Sequence, residues 1–362
     1  MKILHVAETI KGGVATVLRQ LSVEQSQDSH VEAVVCIVPD TQAEELAPLE
    51  KRYVDTFVRS GRNIRSFFSL TTKLIVNIYT LRPDIVHLHS TFAGAIGRIV
   101  LLFMYPLRRP KVVYCPHAFS FLMQGDSKYS RFFSKIEKLL LPLTDAVICV
   151  SQFEKDKAVE LGFGPKKLHV VYNGVPEVNS ILEKKRNPYQ KDKINLLFVG
   201  RFDFQKGFDI FDRIMPTLDK NGCHLTAVGG AVHDRDFIPQ QLPATTFTGW
   251  LSGEELRPYF EHADILVIPS RWEGFAMVPL EAMSYGVPVI ASDCTSFPEM
   301  VLDGVTGHMF ALGHPDQIIQ LIQSTSRQNW KLMGENGRDF FLKKFTAAQM
   351  ISKTKELYSS LF

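Results

Sequence analysis

The chain has 362 residues, of which 45% are apolar and 22% charged, with a net charge of +3 and five cysteines. That composition excludes a disordered chain, a collagen-like fibre and a small disulfide scaffold. The length passes the roughly 250–300 residues at which single cores split, so two domains are expected. The near balance of charge excludes a dedicated nucleic-acid partner, for which a strong basic bias is expected.

The first elements read as short apolar strands alternating with helical patterns. Ile3–Ala7, Val31–Val38, Asp84–His89, Val112–Cys115, Ala146–Val150 and Leu168–Tyr172 are predicted strands. Val14–Gln25, Arg65–Leu81, Ala93–Tyr105, Ser130–Leu141 and Gln152–Leu161 are predicted helices between them. Continuous apolar strands alternating with helices predict a parallel sheet covered on both faces. Pro176–Lys193 is polar and basic with two prolines and reads as a linker.

The pattern then restarts. Asn195–Val199, Leu225–Val228, Thr245–Thr248, Ile265–Ile268 and Val289–Ala291 are predicted strands, and Phe208–Leu218, Gly253–His262, Val278–Tyr285 and Asp316–Gln323 helices. The expected organisation is an α/β domain over 1–178, a linker over 179–193 and a second α/β domain over 194–346. A closing helix over 347–362 could pack on either domain. Two such sheets facing one another leave a cleft for a two-part ligand. The start MKILHVAE reaches Glu8 too early for a secretory leader, and the longest apolar run, Ile99–Leu107, is nine residues. A spanning helix needs about 20. Cys36, Cys115, Cys149, Cys223 and Cys294 are scattered without metal-ligand spacing. They read as reduced, buried thiols of a cytoplasmic protein.

Four stretches carry chemistry. Glu273–Glu281, EGFAMVPLE, follows the strand DILVIPS. Pro279 fits the first position of a helix, which would put Glu281 in the first turn and Glu273 in the preceding loop. The two carboxylates can then converge on one ligand. Gly274 allows close backbone approach, and the free N–H groups of Phe275, Ala276, Met277 and Val278 suit a phosphate or sugar oxygen. In Val199–Gly207, VGRFDFQKG, Arg201 and Lys206 follow a strand and suit a diphosphate. Thr9–Val14 offers Gly12 and Gly13 for backbone contact with an anion at a helix start, although a simple tight turn fits equally. His117, in YCPHAFS, ends a strand and can donate or accept a proton. Asp234-Arg-Asp236 reads as a solvated loop, and no cluster has convincing metal-ligand spacing, so no metal is expected.

In combination, EGFAMVPLEAMSYGVPVIASD, GRFDFQKGFD, VVYNGV, FTGWLSGEEL and SFPEMVLDGVTGHMF resemble the motif blocks of retaining glycosyltransferases of family 4, the bacterial surface-polysaccharide type. The likeness is close over the C-terminal half and loose over the N-terminal half. It implies the GT-B fold, two facing Rossmann-like domains with an interdomain cleft, and transfer of a sugar from a nucleotide-sugar donor. It implies Arg201 and Lys206 at the donor diphosphate, Glu273 with the backbone of Phe275 to Met277 at the donor sugar, and Glu281 at the ribose hydroxyls. Backbone at Trp250 and Leu251 would meet the base. Gly12 and Gly13 would lie against the diphosphate or acceptor, and His117 would contact the transferring sugar. Glu273, Arg201, Lys206 and His117 are thus the expected catalytic set. The donor is expected to be UDP-linked rather than GDP-linked, with no cofactor and no metal requirement. The chain departs from the family pattern at Ser296-Phe297, where many members carry Gly-Gly.

The charge is unevenly spread. Residues 1–178 carry net +5, the linker +3 and 194–362 net −5, and Arg59–Lys138 holds 13 basic against 3 acidic residues. Interleaved aromatics include Phe67, Phe68, Phe92, Phe103, Phe132 and Phe133. Basic clusters with aromatics attract anionic lipid surfaces. The expected partners are therefore a nucleotide sugar, a saccharide acceptor carried on a lipid, and the inner face of the plasma membrane. A solvated basic face is the alternative. An epimerase or phosphorylase of the same fold, or a sugar-nucleotide-binding module without turnover, stays open. A nicotinamide dehydrogenase is disfavoured, because no GxGxxG occurs in the chain.

Overall fold

The structure is a computed structural model that describes residues 1–104, 109–122, 128–178, 183, 185–232 and 242–362. The chain divides into two compact units, Met1–Gly174 with Ala347–Phe362, and Val175–Thr346.

The first unit contains strands β1 (Lys2–Ala7), β2 (Ala33–Pro39), β3 (Val54–Phe57), β4 (Ile85–His89), β5 (Lys111–Cys115), β6 (Ala146–Cys149) and β7 (Leu168–Val170). Its helices are α1 (Gly13–Gln27), α2 (Ile64–Leu81), α3 (Thr91–Met104), α4 (Lys128–Leu140) and α5 (Gln152–Glu160), joined by the closing helix Ala347–Ser359. All strand pairs are parallel, in the order β3-β2-β1-β4-β5-β6-β7. The order reverses direction between β1 and β4, so this is a Rossmann-like sheet with its switch point there. Leu4, Val6, Val86, Leu88, Val112 and Tyr114 are buried in its core, as continuous apolar strands require.

The second unit holds β8 (Ile194–Arg201), β9 (Cys223–Gly230), β10 (Thr245–Gly249), β11 (Ile265–Ile268), β12 (Val289–Ser292) and β13 (Gly307–Phe310). Its helices are α6 (Ile210–Lys220), α7 (Gly253–His262), α8 (Met277–Ser284), α9 (Phe297–Met300), α10 (Asp316–Ser324) and α11 (Arg327–Lys344). The closing helix of the chain is α12. The order β10-β9-β8-β11-β12-β13 is again parallel, with its switch point between β8 and β11. Leu196, Phe198, Phe211, Val267 and Ile290 fill this core. Within the described linker, Lys185 N donates to Glu261 and the Tyr189 hydroxyl to the Tyr259 carbonyl, tying it to α7.

Several elements depart from the sequence expectation, among them the four-residue β13 and α9, which are too short to leave a periodic signal. The edge strand β3 reads VDTF and buries only Phe57, so its apolar signal is too thin to read. Helix α11 runs 18 residues through Gly334 and Gly337, which interrupt the helical pattern. Helix α8 starts at Met277, two residues before Pro279, so Glu281 is the fifth helical residue rather than the third. Proline is tolerated at that third position because the first four helical N–H groups lack intrahelical partners.

Helix α12 packs within the first unit. Lys355 pairs with Asp28 at 2.6 Å, and the Tyr358 hydroxyl lies 2.7 Å from His87 Nδ1. The first unit also buries an ionic network. Arg98, on α3, is 1% exposed and meets Glu137 of α4 at 2.8 Å. The Tyr114 hydroxyl donates to the other Glu137 oxygen at 2.8 Å, and the guanidinium lies 4.2 Å over the Tyr114 ring. Four of the five cysteines are buried and all are free.

Candidate functional site

The C-terminal ends of β8 and β11 flank the switch point of the second sheet, where open α/β sheets bind ligands. Arg201 is the last residue of β8, and Lys206 follows in the loop to α6. Glu273 lies in the loop from β11 to α8. Lys206 Nζ meets Glu273 Oε1 at 2.6 Å, so two residues 67 positions apart are brought into direct contact. Ser270 Oγ donates to the same oxygen at 3.0 Å, and Glu273 N donates to Thr295 Oγ1 at 3.2 Å. Glu273 is therefore fixed from both sides.

Arg201 pairs with Asp203 at 2.9 Å and donates to Gln205 Oε1 at 2.8 Å. Asp203 also accepts from Lys206 N at 2.8 Å, which tightens the turn carrying both cations. Gln205 Nε2 donates to the Trp272 carbonyl at 3.2 Å, and Arg271 N to the Gln205 carbonyl at 2.8 Å. The two loops are thus stitched by main chain as well as by charge. Gly207 has φ +67, and a Cβ there would sit 2.0 Å from the Pro269 carbonyl oxygen. The loop carrying Lys206 approaches the end of β11 this closely only because residue 207 has no side chain.

Phe275, Ala276 and Met277 are buried at the start of α8, Gly274 and Glu281 are partly exposed, and Ala276 precedes the first helical residue. Trp250 is exposed and Leu251 partly so. The indole Nε1 of Trp250 lies 3.4 Å from where a Gly230 Cβ would be, so the indole rests over the end of β9. Arg201, Lys206, Glu273 and Trp250 therefore stand around the carboxyl ends of β8, β9 and β11. Asp203, Gln205, Ser270 and Thr295 were not anticipated from sequence. Asp203 and Gln205 lie inside the GRFDFQKG motif, but their residue types are ordinary for a turn. Asp234 and Asp236 lie outside the described residues.

The first unit supplies Gly12, Gly13 and His117. Gly12 caps the N-terminus of α1, and Gly13 is its first residue. The buried Glu8, just before this loop, is held by Arg59 at 2.8 Å. His117 follows β5 with φ 55, in the left-handed region uncommon for a side-chain-bearing residue. Its loop is anchored by the buried Glu154, which accepts from Phe119 N at 2.9 Å and Val150 N at 2.7 Å. His117 Nε2 lies 3.0 Å from His89 Nδ1, and His89 Nε2 lies 3.0 Å from His5 Nδ1. His5 Nε2 donates to Gln25 Oε1 at 2.7 Å. Burial pulls the pKa of His5 and of His117 down to about 4 and pushes His87 and His89 well below their ordinary range, so all four imidazoles are neutral at pH 7. A small cavity is lined by His87, His89, His117, Asn173, Met350 and Thr354.

A model described as glycosyltransferase family 4 matches residues 11–177, and one described as glycosyl transferases group 1 matches residues 193–327. An uncharacterised 41.2 kDa protein of the cps region of Klebsiella pneumoniae is 37% identical over 99% of this chain and 100% of its own length. An Escherichia coli UDP-Gal:α-D-GlcNAc-diphosphoundecaprenol α-1,3-galactosyltransferase is 24% identical over 79% of each chain. Among solved structures, Anabaena HepE in complex with UDP superposes with a TM-score of 0.76 at 17% identity, covering 99% of this chain and 100% of that one.

Proposed function

Because the chain belongs to glycosyltransferase family 4 and is a GT-B glycosyltransferase, similar to a protein of a cps region and to a diphosphoundecaprenol-saccharide galactosyltransferase, we propose that it is a retaining enzyme that moves a sugar from a UDP-sugar to a lipid-linked saccharide. The observation that carries this reading is the Lys206–Glu273 pair beside Arg201 at the switch point of the second sheet. In this reading Lys206 and Arg201 hold the donor diphosphate. Glu273, with the backbone of Phe275, Ala276 and Met277, holds the donor sugar. Glu281 takes the ribose hydroxyls, and backbone at Trp250 and Leu251 meets the base. Gly12 and Gly13 contribute N–H groups at the start of α1, where the helix dipole favours an anion.

The chemistry follows from where charge develops. As the sugar–phosphate bond breaks, the ring becomes oxocarbenium-like and negative charge accumulates on the departing diphosphate. Arg201 and Lys206 are already oriented by Asp203, Gln205 and Glu273, so stabilising that charge needs little reorganisation. The acceptor hydroxyl enters on the face the diphosphate leaves, and a diphosphate oxygen takes its proton. UDP as the carrier is supported by the E. coli relative, named for UDP-Gal, and by HepE, solved with UDP.

The acceptor side belongs to the first unit. Ile64, Phe68, Val76 and Tyr79 of α2, Ile99, Leu102 and Phe103 of α3, and Phe132 and Leu139 of α4 are exposed. Arg62, Arg65, Arg131, Lys135 and Lys138 are exposed in the same segments. Exposed apolar groups framed by cations fit the inner, anionic face of a membrane carrying the acceptor lipid. No helix among the described residues is long and apolar enough to cross a membrane.

Transfer of radiolabelled sugar from UDP-sugars to extracted lipid-linked glycans tests the assignment. Lys206→Ala abolishes transfer while the thermal transition stays that of a folded protein. Near-wild-type turnover in that variant, or stabilisation by NAD and by no uridine or guanosine diphosphate, refutes it.

A further inference from the structure

Three buried histidines of the first unit, His5, His87 and His89, with the partly buried His117 beside them, invite a metal reading. One ring nitrogen from each of His5, His87 and His89 lies within 4.8 Å of the others. Proton accounting favours a different arrangement. His5 and His87 are register partners on β1 and β4, and His89 follows two residues later on the same face. His5 Nδ1 and His89 Nε2 are 3.0 Å apart, hydrogen-bonded directly, so one proton already lies between them. A cation would need both lone pairs at once.

Neutral imidazoles carry one proton each, which makes the chain directional. Gln25, 8% exposed, offers its carbonyl oxygen to His5 Nε2 at 2.7 Å, so that nitrogen carries the His5 proton. His5 Nδ1 is then an acceptor, and the proton in the 3.0 Å contact belongs to His89 Nε2. His89 Nδ1 is in turn an acceptor, and His117 Nε2 donates to it at 3.0 Å. The last nitrogen, His117 Nδ1, is left with a lone pair and no hydrogen-bond partner among the described residues.

We propose that Gln25, His5 and His89 are positioning residues that lock His117 in the Nε2–H tautomer, so that its Nδ1 accepts a hydrogen bond from a substrate sugar hydroxyl. The acceptor role rests on the glycosyltransferase reading above; the tautomer lock does not. Gln25 is on α1, His5 on β1, His89 on β4 and His117 after β5, so one amide sets the polarity of a site residue three hydrogen bonds away. The imidazole cannot turn its proton outward without reversing every bond in the chain. This is the orienting role a carboxylate plays behind a catalytic histidine, built here from neutral groups.

Long-range proton–nitrogen correlation spectra of the ¹⁵N-labelled full chain at pH 7.5 decide the lock without any substrate. Each imidazole of His5, His89 and His117 is expected to show protonated Nε2 and unprotonated Nδ1. A protonated Nδ1 on His117 overturns the proposal, as does an equimolar zinc titration that shifts His5, His87 and His89 together. In Gln25→Leu the anchor is lost, so His117 is expected to show both tautomers and kcat to fall about tenfold, the worth of one misdirected hydrogen bond. Gln25→Glu restores an acceptor and with it the single tautomer. An unchanged His117 spectrum in folded Gln25→Leu, or mixed tautomers with unchanged kcat, overturns the proposal. A correct tautomer pattern in a protein that transfers no sugar instead removes the glycosyltransferase reading and leaves the lock standing.

Discussion

Gly207→Ala tests how the second sheet sets the spacing of its site. Residue 207 has φ +67, and Gly222, in the same unit, has φ +76. Alanine pays a left-handed penalty at either position, about 1 kcal/mol. The surroundings differ. A Cβ at Gly222 meets nothing within 4 Å, whereas at Gly207 it would lie 2.0 Å from the Pro269 carbonyl oxygen. Relieving that contact means moving backbone by about 1 Å or more toward an ordinary separation of ~3.5 Å, and overpacking of this kind costs about 1–3 kcal/mol. Gly207→Ala should therefore lose about 2–4 kcal/mol and Gly222→Ala about 1. In urea melts followed by a probe in the second unit, the midpoints should separate accordingly. The moved residue is bonded to Lys206, so the Lys206–Glu273 contact moves with it. A displacement of about 1 Å at a positioned group can cost around a hundredfold in turnover, which Gly222→Ala should not. Equal stability losses, or full activity in Gly207→Ala, would refute the reasoning.

Acid should destabilise the first unit early. The folded pKa of His5 and of His117 is lowered to about 4 from 6.5, so their stabilisation is complete above pH 6.5 and is lost as pH falls toward 4, because the unfolded chain takes up protons first. At pH 5 the two groups together cost about 4 kcal/mol, at about 1.4 kcal/mol per pH unit for each, and urea midpoints flat between pH 7 and 5 would contradict this. Glu137→Ala leaves the Arg98 guanidinium buried without its carboxylate and should cost about 3–5 kcal/mol, with partial recovery in Glu137→Ala/Arg98→Met; a loss below 1 kcal/mol would remove the network's structural role. Flotation with anionic vesicles at low salt should carry the chain, and Arg131→Glu/Lys135→Glu/Lys138→Glu should release it, since each cation near such a surface contributes about 1 kcal/mol. Equal flotation of both proteins would rule out α4 as the docking element.

Much of the architecture was legible because burial leaves a coarse trace. Strands such as IVHLH and AVIC are apolar or buried throughout, and only a parallel sheet covered on both faces asks for that. Elements whose signal is tertiary were not legible. VDTF pairs only along one edge, and α11 takes its stability from packing rather than from an apolar stripe. The same division runs through the site. Lys206 and Glu273 stood out because cations and carboxylates after strands are chemically conspicuous. Thr295, 22 residues beyond Glu273, and Ser270 look ordinary until folding aims them at its main chain and carboxylate. His5 carried no sequence signal, because its partnership with His89 exists only through the β1–β4 register, 84 residues away.

The return of α12 to the first unit has a consequence for biosynthesis. A ribosome completes Val175–Thr346 before it has made Met350, Leu357 and Tyr358, all buried in the first unit. The second unit is continuous in sequence and can reach its native state as soon as it emerges. The first must wait, with His87 and its neighbours uncovered, until the last helix is released. Domains ordinarily mature from the N-terminus onward. Here the later-made unit can finish first, and the nascent first unit is the species that most needs protection from aggregation.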